Sequence, residues 1–260
     1  MVNQMEVRES HEQLSAAWSL YARCSGAGEV VDLDGLRIAN ARQPWFLMNA
    51  ALLTAPVSSQ TNLAARAHTA MAYFGHEHRP WHLAGSQHWL GDGAPETLSR
   101  CGLTQAFTVV GMVAAQLAAP ARPLPEVETR RIDDERGRQA LADLNAAVYA
   151  LSSAWVRGAV AGASLWQAPL YGYVAYVDGV PVSTAFTVPL HGVLYVDFVA
   201  TALAHRRRGL AELVMRRSLE DATRATGITR TALHATAAGY PMYLKIGYKP
   251  VDAFAVYVPR

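Results

Sequence analysis

Cysteine is scarce in this 260-residue chain, with Cys24 and Cys101 standing alone and far apart. A lone pair in a chain long enough to bury its own core argues against a disulfide scaffold and for two reduced core thiols in a reducing compartment. Charge is sparse too, at 17% of residues, whereas 51% are hydrophobic. So apolar a chain can bury enough surface to offset its ordering entropy, which excludes intrinsic disorder. Long hydrophobic runs are missing. The two longest, Trp45 to Pro56 and Phe107 to Ala119, fall short of the roughly 20 residues that a membrane-spanning helix needs. The opening Met1-Val2-Asn3-Gln4-Met5-Glu6 has neither the basic nor the apolar region of a signal peptide. The expectation is a soluble, cytoplasmic protein without a membrane partner.

Lysine is absent from residues 1–125, where eight Arg face nine acids, whereas residues 126–260 hold fifteen bases against twelve acids. The formal net charge of +2 is too small to suggest nucleic acid, which leaves a broader basic footprint. At about 100–200 residues per domain the length allows one large domain or two ordinary ones. Pro120-Ala121-Arg122-Pro123-Leu124-Pro125 has the composition of a linker. The expected organisation is therefore an N-terminal lobe at 1–119, a linker at 120–125 and a C-terminal domain at 126–260.

What is present is an alternation of strand and helix patterns. Leu14, Ala17, Trp18 and Tyr21 predict a helix over Ser10 to Cys24, with Ser10 as N-cap. Asp34-Gly35 between apolar runs predicts a hairpin. A strand at Phe46 to Thr54, a helix at 61–75, a short strand near Trp81 to Leu83, a short helix near Pro95 to Cys101 and a strand at Phe107 to Gln116 follow. The second half reads as a strand at Val127 to Ile132 and a helix at Asp134 to Tyr149, with Leu141, Leu144, Ala147 and Val148 inward. A hairpin through Asp178-Gly179, a strand at Val193 to Thr201 and a helix from Gly209 to about Ala225 come next, with Gly227 at its C-terminus. Ile228 to Ala235, Gly239 to Ile246 and Val251 to Val258 close the order as strand, helix and strand. The fold class is mixed α/β.

One stretch carries chemistry: Val199-Ala200-Thr201-Ala202-Leu203-Ala204-His205-Arg206-Arg207-Arg208-Gly209-Leu210-Ala211. A strand ends, and a helix begins at a Gly with a small residue just inside it. A helix N-terminus presents unpaired N–H groups and partial positive charge to an anion, and three arginines add phosphate donors. Arg206-x-x-Gly209-x-Ala211 after a strand resembles the cofactor loop of the GNAT superfamily of acyl-CoA-dependent N-acetyltransferases. Leu233 to Tyr248, with Tyr243-Leu244-Lys245-Ile246-Gly247-Tyr248, is similar to that family's C-terminal strand, helix and Tyr-x-x-x-Gly-Phe/Tyr segment. The first half has the same rhythm, yet Ser58-Ser59-Gln60-Thr61-Asn62-Leu63 stands where a loop glycine is needed. It reads as a degenerate GNAT copy, a private α/β extension being the alternative.

The resemblance implies a GNAT acyltransferase fold in tandem lobes, with central mixed sheets flanked by helices. It implies acetyl-CoA as co-substrate and an amine acceptor, small molecule or peptide, attacking the thioester directly. Arg206, Arg207, Arg208, Gly209, Leu210 and Ala211 would hold the pyrophosphate, and Phe198, Val199 and Thr201 the pantetheine arm. The Val199 N–H would stabilise the oxyanion. Tyr243 would be the general acid, and Asp197 and His234 the candidates for the general base that an ammonium acceptor requires. Residues 152–170 are the expected acceptor wall. No metal is expected, since His76, His78, His82 and His88 match no zinc spacing, and Trp45, Phe46, Tyr73, Phe74, Trp81 and Trp89 read as core. A monomer or homodimer without nucleic acid is anticipated. The rival readings are another acyl-CoA or O-acyl transfer, and a non-catalytic CoA-binding sensor or interaction module.

Overall fold

The computed structural model describes residues 3–260, and its first helix starts earlier than Ser10. Helix α1 spans Gln4–Cys24 because the Asn3 side chain accepts the Met5 N–H and so caps the first turn. Ser10, expected as the cap, is buried in mid-helix. The apolar stripe of Leu14, Ala17 and Tyr21 thus runs back to Val7.

Two compact units make up the chain. Unit 1 holds the residues up to Met112, with His234–Tyr240 and Pro250–Arg260, and unit 2 holds Val113–Leu233 and Pro241–Lys249. The division is discontinuous in sequence, and the proline-rich 120–125 segment falls inside unit 2.

In unit 1, β1 (Glu29–Leu33) and β2 (Leu36–Asn40) form the hairpin expected from Asp34-Gly35, with Gly35 at φ 69°. The run from Phe46 to Thr54, expected as one strand, divides into a 3₁₀ turn at Phe46–Met48 and β3 at Asn49–Leu53. Helix α2 (Gln60–Gly75) buries Leu63, Ala67, Ala70 and Phe74. β4 (His82–Ser86) then returns parallel to β3, with Ala51 opposite Leu83. Both strands are buried throughout, as expected of parallel strands covered on two faces. Helices α3 (Gln87–Leu90) and α4 (Ala94–Arg100) lead into β5 (Leu103–Ala114). With four residues, α3 is too short to show a period. Leu36, Ile38, Leu63, Phe74, Leu83 and Leu98 share the core, where Trp81 stacks on Phe74 at 5.0 Å.

Unit 2 begins its regular structure with β6 (Glu128–Arg131) and α5 (Glu135–Val148), which Asp134 caps by accepting the Gly137 N–H at 2.7 Å. Leu141 and Leu144 are buried as expected, but Ala147 is exposed and Val148 half-buried; Ala142 and Ala146 take the inward positions. After α6 (Ser153–Val160), β7 (Tyr171–Val177), β8 (Val180–Leu190) and β9 (Val193–Thr201) form an antiparallel meander with β6. Asp178 and Gly179 turn the β7–β8 hairpin with φ of 51° and 76°, the pair of left-handed residues that a two-residue turn requires. Helix α7 (Leu210–Thr226) ends at Gly227, φ 74°, and β10 (Thr231–Ala235) runs parallel to β9. Helix α8 (Tyr240–Lys245) and β11 (Lys249–Pro259) close the chain. From Pro250 onward β11 lies in unit 1, antiparallel to β4, with Ala255 opposite Gly85. Each unit therefore leads a hairpin into a strand, a helix and a parallel strand.

Candidate active site

The turn between β9 and α7 is shaped by two left-handed residues, Arg207 at φ 62° and Gly209 at φ 83°. Gly209 is the N-cap of α7 and has no side chain with which to satisfy the first-turn N–H groups. The first amide bonded back to it is that of Leu213, 3.0 Å from the Gly209 carbonyl. The N–H groups of Leu210, Ala211 and Glu212 thus sit at the positive end of a seventeen-residue helix. Arg206 turns back to donate to the Thr201 carbonyl at 3.3 Å, and Arg208 pairs with His205 at 3.1 Å.

The 113–125 segment is strapped to this turn. The Ala118 N–H donates to the Ile246 carbonyl at 2.9 Å, and the Ala118 carbonyl accepts from the buried guanidinium of Arg216 at 2.7 Å. Arg122 donates to the Arg207 carbonyl at 3.4 Å. A Cβ on Gly209 would lie 3.3 Å from Pro125. The glycine is therefore required both by its φ and by the close approach of a neighbouring segment.

Upstream, β9 is not a regular strand. Phe186 pairs with Asp197 and Thr184 with Ala200, so Phe198 and Val199 together face a single residue of β8, a β-bulge. Phe198 has φ 52°, a conformation that few residues with a Cβ adopt. Its N–H donates to Asp197 Oδ1 at 2.8 Å, and its ring stacks on Phe186 at 5.4 Å. On the other side the parallel ladder to β10 pairs Leu194 with Thr231 and Tyr195 with Ala232 and runs no further. A strand edge is thereby left for an extended ligand to add to.

A group of tyrosines surrounds the bulge. Tyr243, on α8, is 7% exposed, and burial first, then Tyr149, Tyr248 and Asp197, push its hydroxyl well above the usual tyrosine range. Tyr195 is raised by burial and by Asp197 and Tyr243. Tyr149 donates to the Val199 carbonyl at 3.2 Å; burial and Asp197 raise it, and Arg206 opposes them. These mutual influences place Tyr149, Tyr195, Asp197 and Tyr243 in one electrostatic neighbourhood. At neutral pH Tyr243 is a protonated donor.

Residues 138–248 match the model of the Acetyltransferase (GNAT) family. Over those residues, in its C-terminal half, the chain carries a GNAT-family domain. Among solved structures it is similar to a GCN5-related N-acetyltransferase from Kribbella flavida, at 20% identity and a TM-score of 0.73 over 96% of this chain and 95% of that one. A functionally unknown conserved protein from Staphylococcus epidermidis matches at 12% identity and a TM-score of 0.63, over 90% and 94% of the two chains. A tandem GNAT protein from the clavulanic acid biosynthesis pathway matches at 12% identity and a TM-score of 0.53, over 86% and 77%. At these identities the likeness is one of fold. None of the curated proteins matches the chain.

Asp197, Phe198, Val199, Thr201, the 206–211 turn and Tyr243 all belong to unit 2. His234 is in unit 1, where its Nε2 lies 3.2 Å from Ser10 Oγ and its ring meets Phe254 at 4.5 Å. Burial pulls its pKa down to about 3, so it is a very weak base. His82 is likewise buried, donating to the Phe46 carbonyl at 3.0 Å. Among the described residues no three His, Cys, Asp or Glu side chains gather as a metal ion would need. No helix among them is long and apolar enough to cross a membrane. Sequence reasoning missed Asn145 and Tyr149, which reach the bulge from α5 and its C-cap. For Asn145 a signal existed: an amide four residues after Leu141 lies on the buried stripe, where a polar group needs partners.

Proposed function

We propose that this protein is an acetyl-CoA-dependent N-acetyltransferase in which a bound primary amine attacks the thioester directly, giving an N-acetyl product and free CoA thiol. The observation that carries the reading is the uncapped start of α7 at Gly209 beside a strand bulged at Phe198–Val199. The N–H groups of Leu210 and Ala211 receive the pyrophosphate, with Arg206, Arg207 and Arg208 supplying charge around it. The main chain of Phe198, Val199 and Thr201 takes the amide-bearing pantetheine arm as an added strand, and the Val199 N–H faces the thioester carbonyl, where negative charge develops. Tyr243 gives its proton to the departing sulfur. Asp197, in the same unit as Tyr243 and in its electrostatic neighbourhood, is favoured over His234 as the group that relieves the acceptor of its proton.

The acceptor is a small molecule or peptide amine, bounded on one side by residues 152–170. Unit 1 descends from a GNAT lobe that has lost its cofactor loop. The protein works in the cytoplasm as a monomer or homodimer, without a metal.

Acetyl-CoA at 100 times its Kd is expected to stabilise the protein by about 2.7 kcal/mol, read as a rise in Tm. Thiol release from acetyl-CoA over a panel of amines, amino acids, polyamines, aminoglycosides and peptides then identifies the acceptor. Tyr243→Phe should keep the Tm shift and lower turnover by about 100-fold. No shift at saturating acetyl-CoA overturns the reading; a shift without turnover on any acceptor favours a CoA-binding sensor instead.

A further inference from the structure

The Phe198–Val199 peptide is gripped by two buried side chains to which the acetyl-transfer reading gives no task. Asn145, on α5, is 2% exposed. Its amide nitrogen donates to the Phe198 carbonyl at 3.2 Å and to Leu141 of its own helix at 2.9 Å. Thr184, on β8 and fully buried, donates its hydroxyl to the same Phe198 oxygen at 3.2 Å and accepts from Asn145 at 3.3 Å. Two elements thus converge on one carbonyl, at the one residue of β9 with a left-handed backbone.

In a trans peptide the carbonyl of one residue and the N–H of the next point in opposite directions. With the Phe198 oxygen drawn toward Asn145 and Thr184, the Val199 N–H is aimed away from them. Without that pull Phe198 would relax toward the extended conformation that residues with a Cβ prefer, and the peptide would rotate. We propose that Asn145, assisted by Thr184, is a positioning residue: it locks the bulge so that the Val199 N–H meets the thioester carbonyl of the acyl donor. This rests on the acetyl-transfer reading, but it concerns residues outside the cofactor loop and outside the proton-transfer groups. It also explains an amide on an otherwise apolar helix face, where a leucine would pack at less desolvation cost.

The test compares Asn145→Leu, Thr184→Val and Thr184→Ser with the wild type. It reads kcat for acetyl-CoA hydrolysis or transfer, Kd for CoA, which has no acyl carbonyl, and the amide resonance of Val199 in labelled protein. Misaligning one oxyanion donor should lower kcat between about 10-fold and 100-fold in Asn145→Leu and Thr184→Val, while Kd for CoA stays within about twofold. Thr184→Ser keeps the hydroxyl and should keep the wild-type rate. In the wild type the Val199 resonance should move more with acetyl-CoA than with CoA; in Asn145→Leu that difference should vanish. A folded Asn145→Leu with wild-type kcat, or one whose loss lies wholly in CoA affinity, overturns the proposal. Should Asn145→Leu not fold, the Thr184→Val and Thr184→Ser pair decides by the same criteria. A wild type that binds no acetyl-CoA overturns the acetyl-transfer reading itself and this role with it, a result visible before any variant is made.

Discussion

The turn from β3 into α2 and the turn from β9 into α7 join equivalent elements, and the two units treat the helix start in opposite ways. In unit 1, Ser59 accepts the Asn62 N–H at 3.1 Å, so α2 caps itself. The half-turn before it is filled by Arg66, a buried side chain that donates to the Ala55 carbonyl at 2.7 Å. A Cβ on Gly35 would fall 2.2 Å from that guanidinium, so no room is left for a guest. In unit 2 the corresponding cap is a glycine, and its arginines lie at the surface. The strands differ likewise: β3 keeps an unbroken register with β2 from Asn49 opposite Asn40 to Leu53 opposite Leu36, while β9 is bulged. The two units share a strand, helix and parallel-strand connection, and only the second leaves first-turn helix N–H groups without a side-chain cap.

The largest effect should come from closing the open turn. Gly209→Val places a branched side chain at φ 83°, within reach of Pro125, and should weaken acetyl-CoA binding by about 100-fold, ~2.7 kcal/mol, measured by calorimetry. Binding within about threefold of wild type would break the contrast between the turns.

Acid should separate the units next. His11 and His234 are lowered to about 3, by burial first, and His82 to about 4 by burial, and all three lie in unit 1. A histidine depressed in the folded state stays neutral there while the unfolded chain takes up a proton. Nothing is lost above pH 6.5. Between 6.5 and the folded value each such group withdraws up to about 1.4 kcal/mol of stability per pH unit. Amide exchange at pH 7.5 and pH 5 should therefore show unit 1 losing protection first; equal loss in both units would count against the buried, neutral state of these rings.

The smallest effect tests the closed turn. Ser59→Ala should cost about 1 kcal/mol of stability in a denaturant titration and leave acetyl-CoA affinity unchanged. A change in affinity would mean that the self-capped turn of unit 1 takes part in binding.

Features set by neighbouring residues were readable before any coordinates. Asp34-Gly35 and Asp178-Gly179 specify their turns locally, and Val193 to Thr201 carries enough β-branched and aromatic residues to be bounded as observed. Gly209 and Gly227 mark both ends of α7 for the same reason. Features set by distant partners were not. Asn145 and Tyr149 meet β9 across 53 and 50 positions; the place of Asn145 on the buried stripe signals that it needs partners, but no local pattern says which. Helix α6 buries only Val156 and Val160, too few to reveal a period. Ser10, expected as the cap of α1, is buried in mid-helix, and Asn3 caps the first turn instead; periodicity alone does not report that burial. His234 and Asp197 both read as strand residues, but the unit in which each resides depends on where a strand's end is sequestered.

The membership of Pro250–Arg260 in unit 1 has a consequence for how the protein is made. Until residues 250–260 leave the ribosome, β4 has no antiparallel neighbour at the positions that Phe254 to Tyr257 later occupy. Unit 1, though synthesised first, presents an open sheet edge for the whole time unit 2 is being translated, the kind of edge that recruits other chains. Removing residues 250–260 would then strike the unit that is otherwise built from residues far upstream, and would be seen as aggregation of unit 1 rather than as loss of the turn before α7.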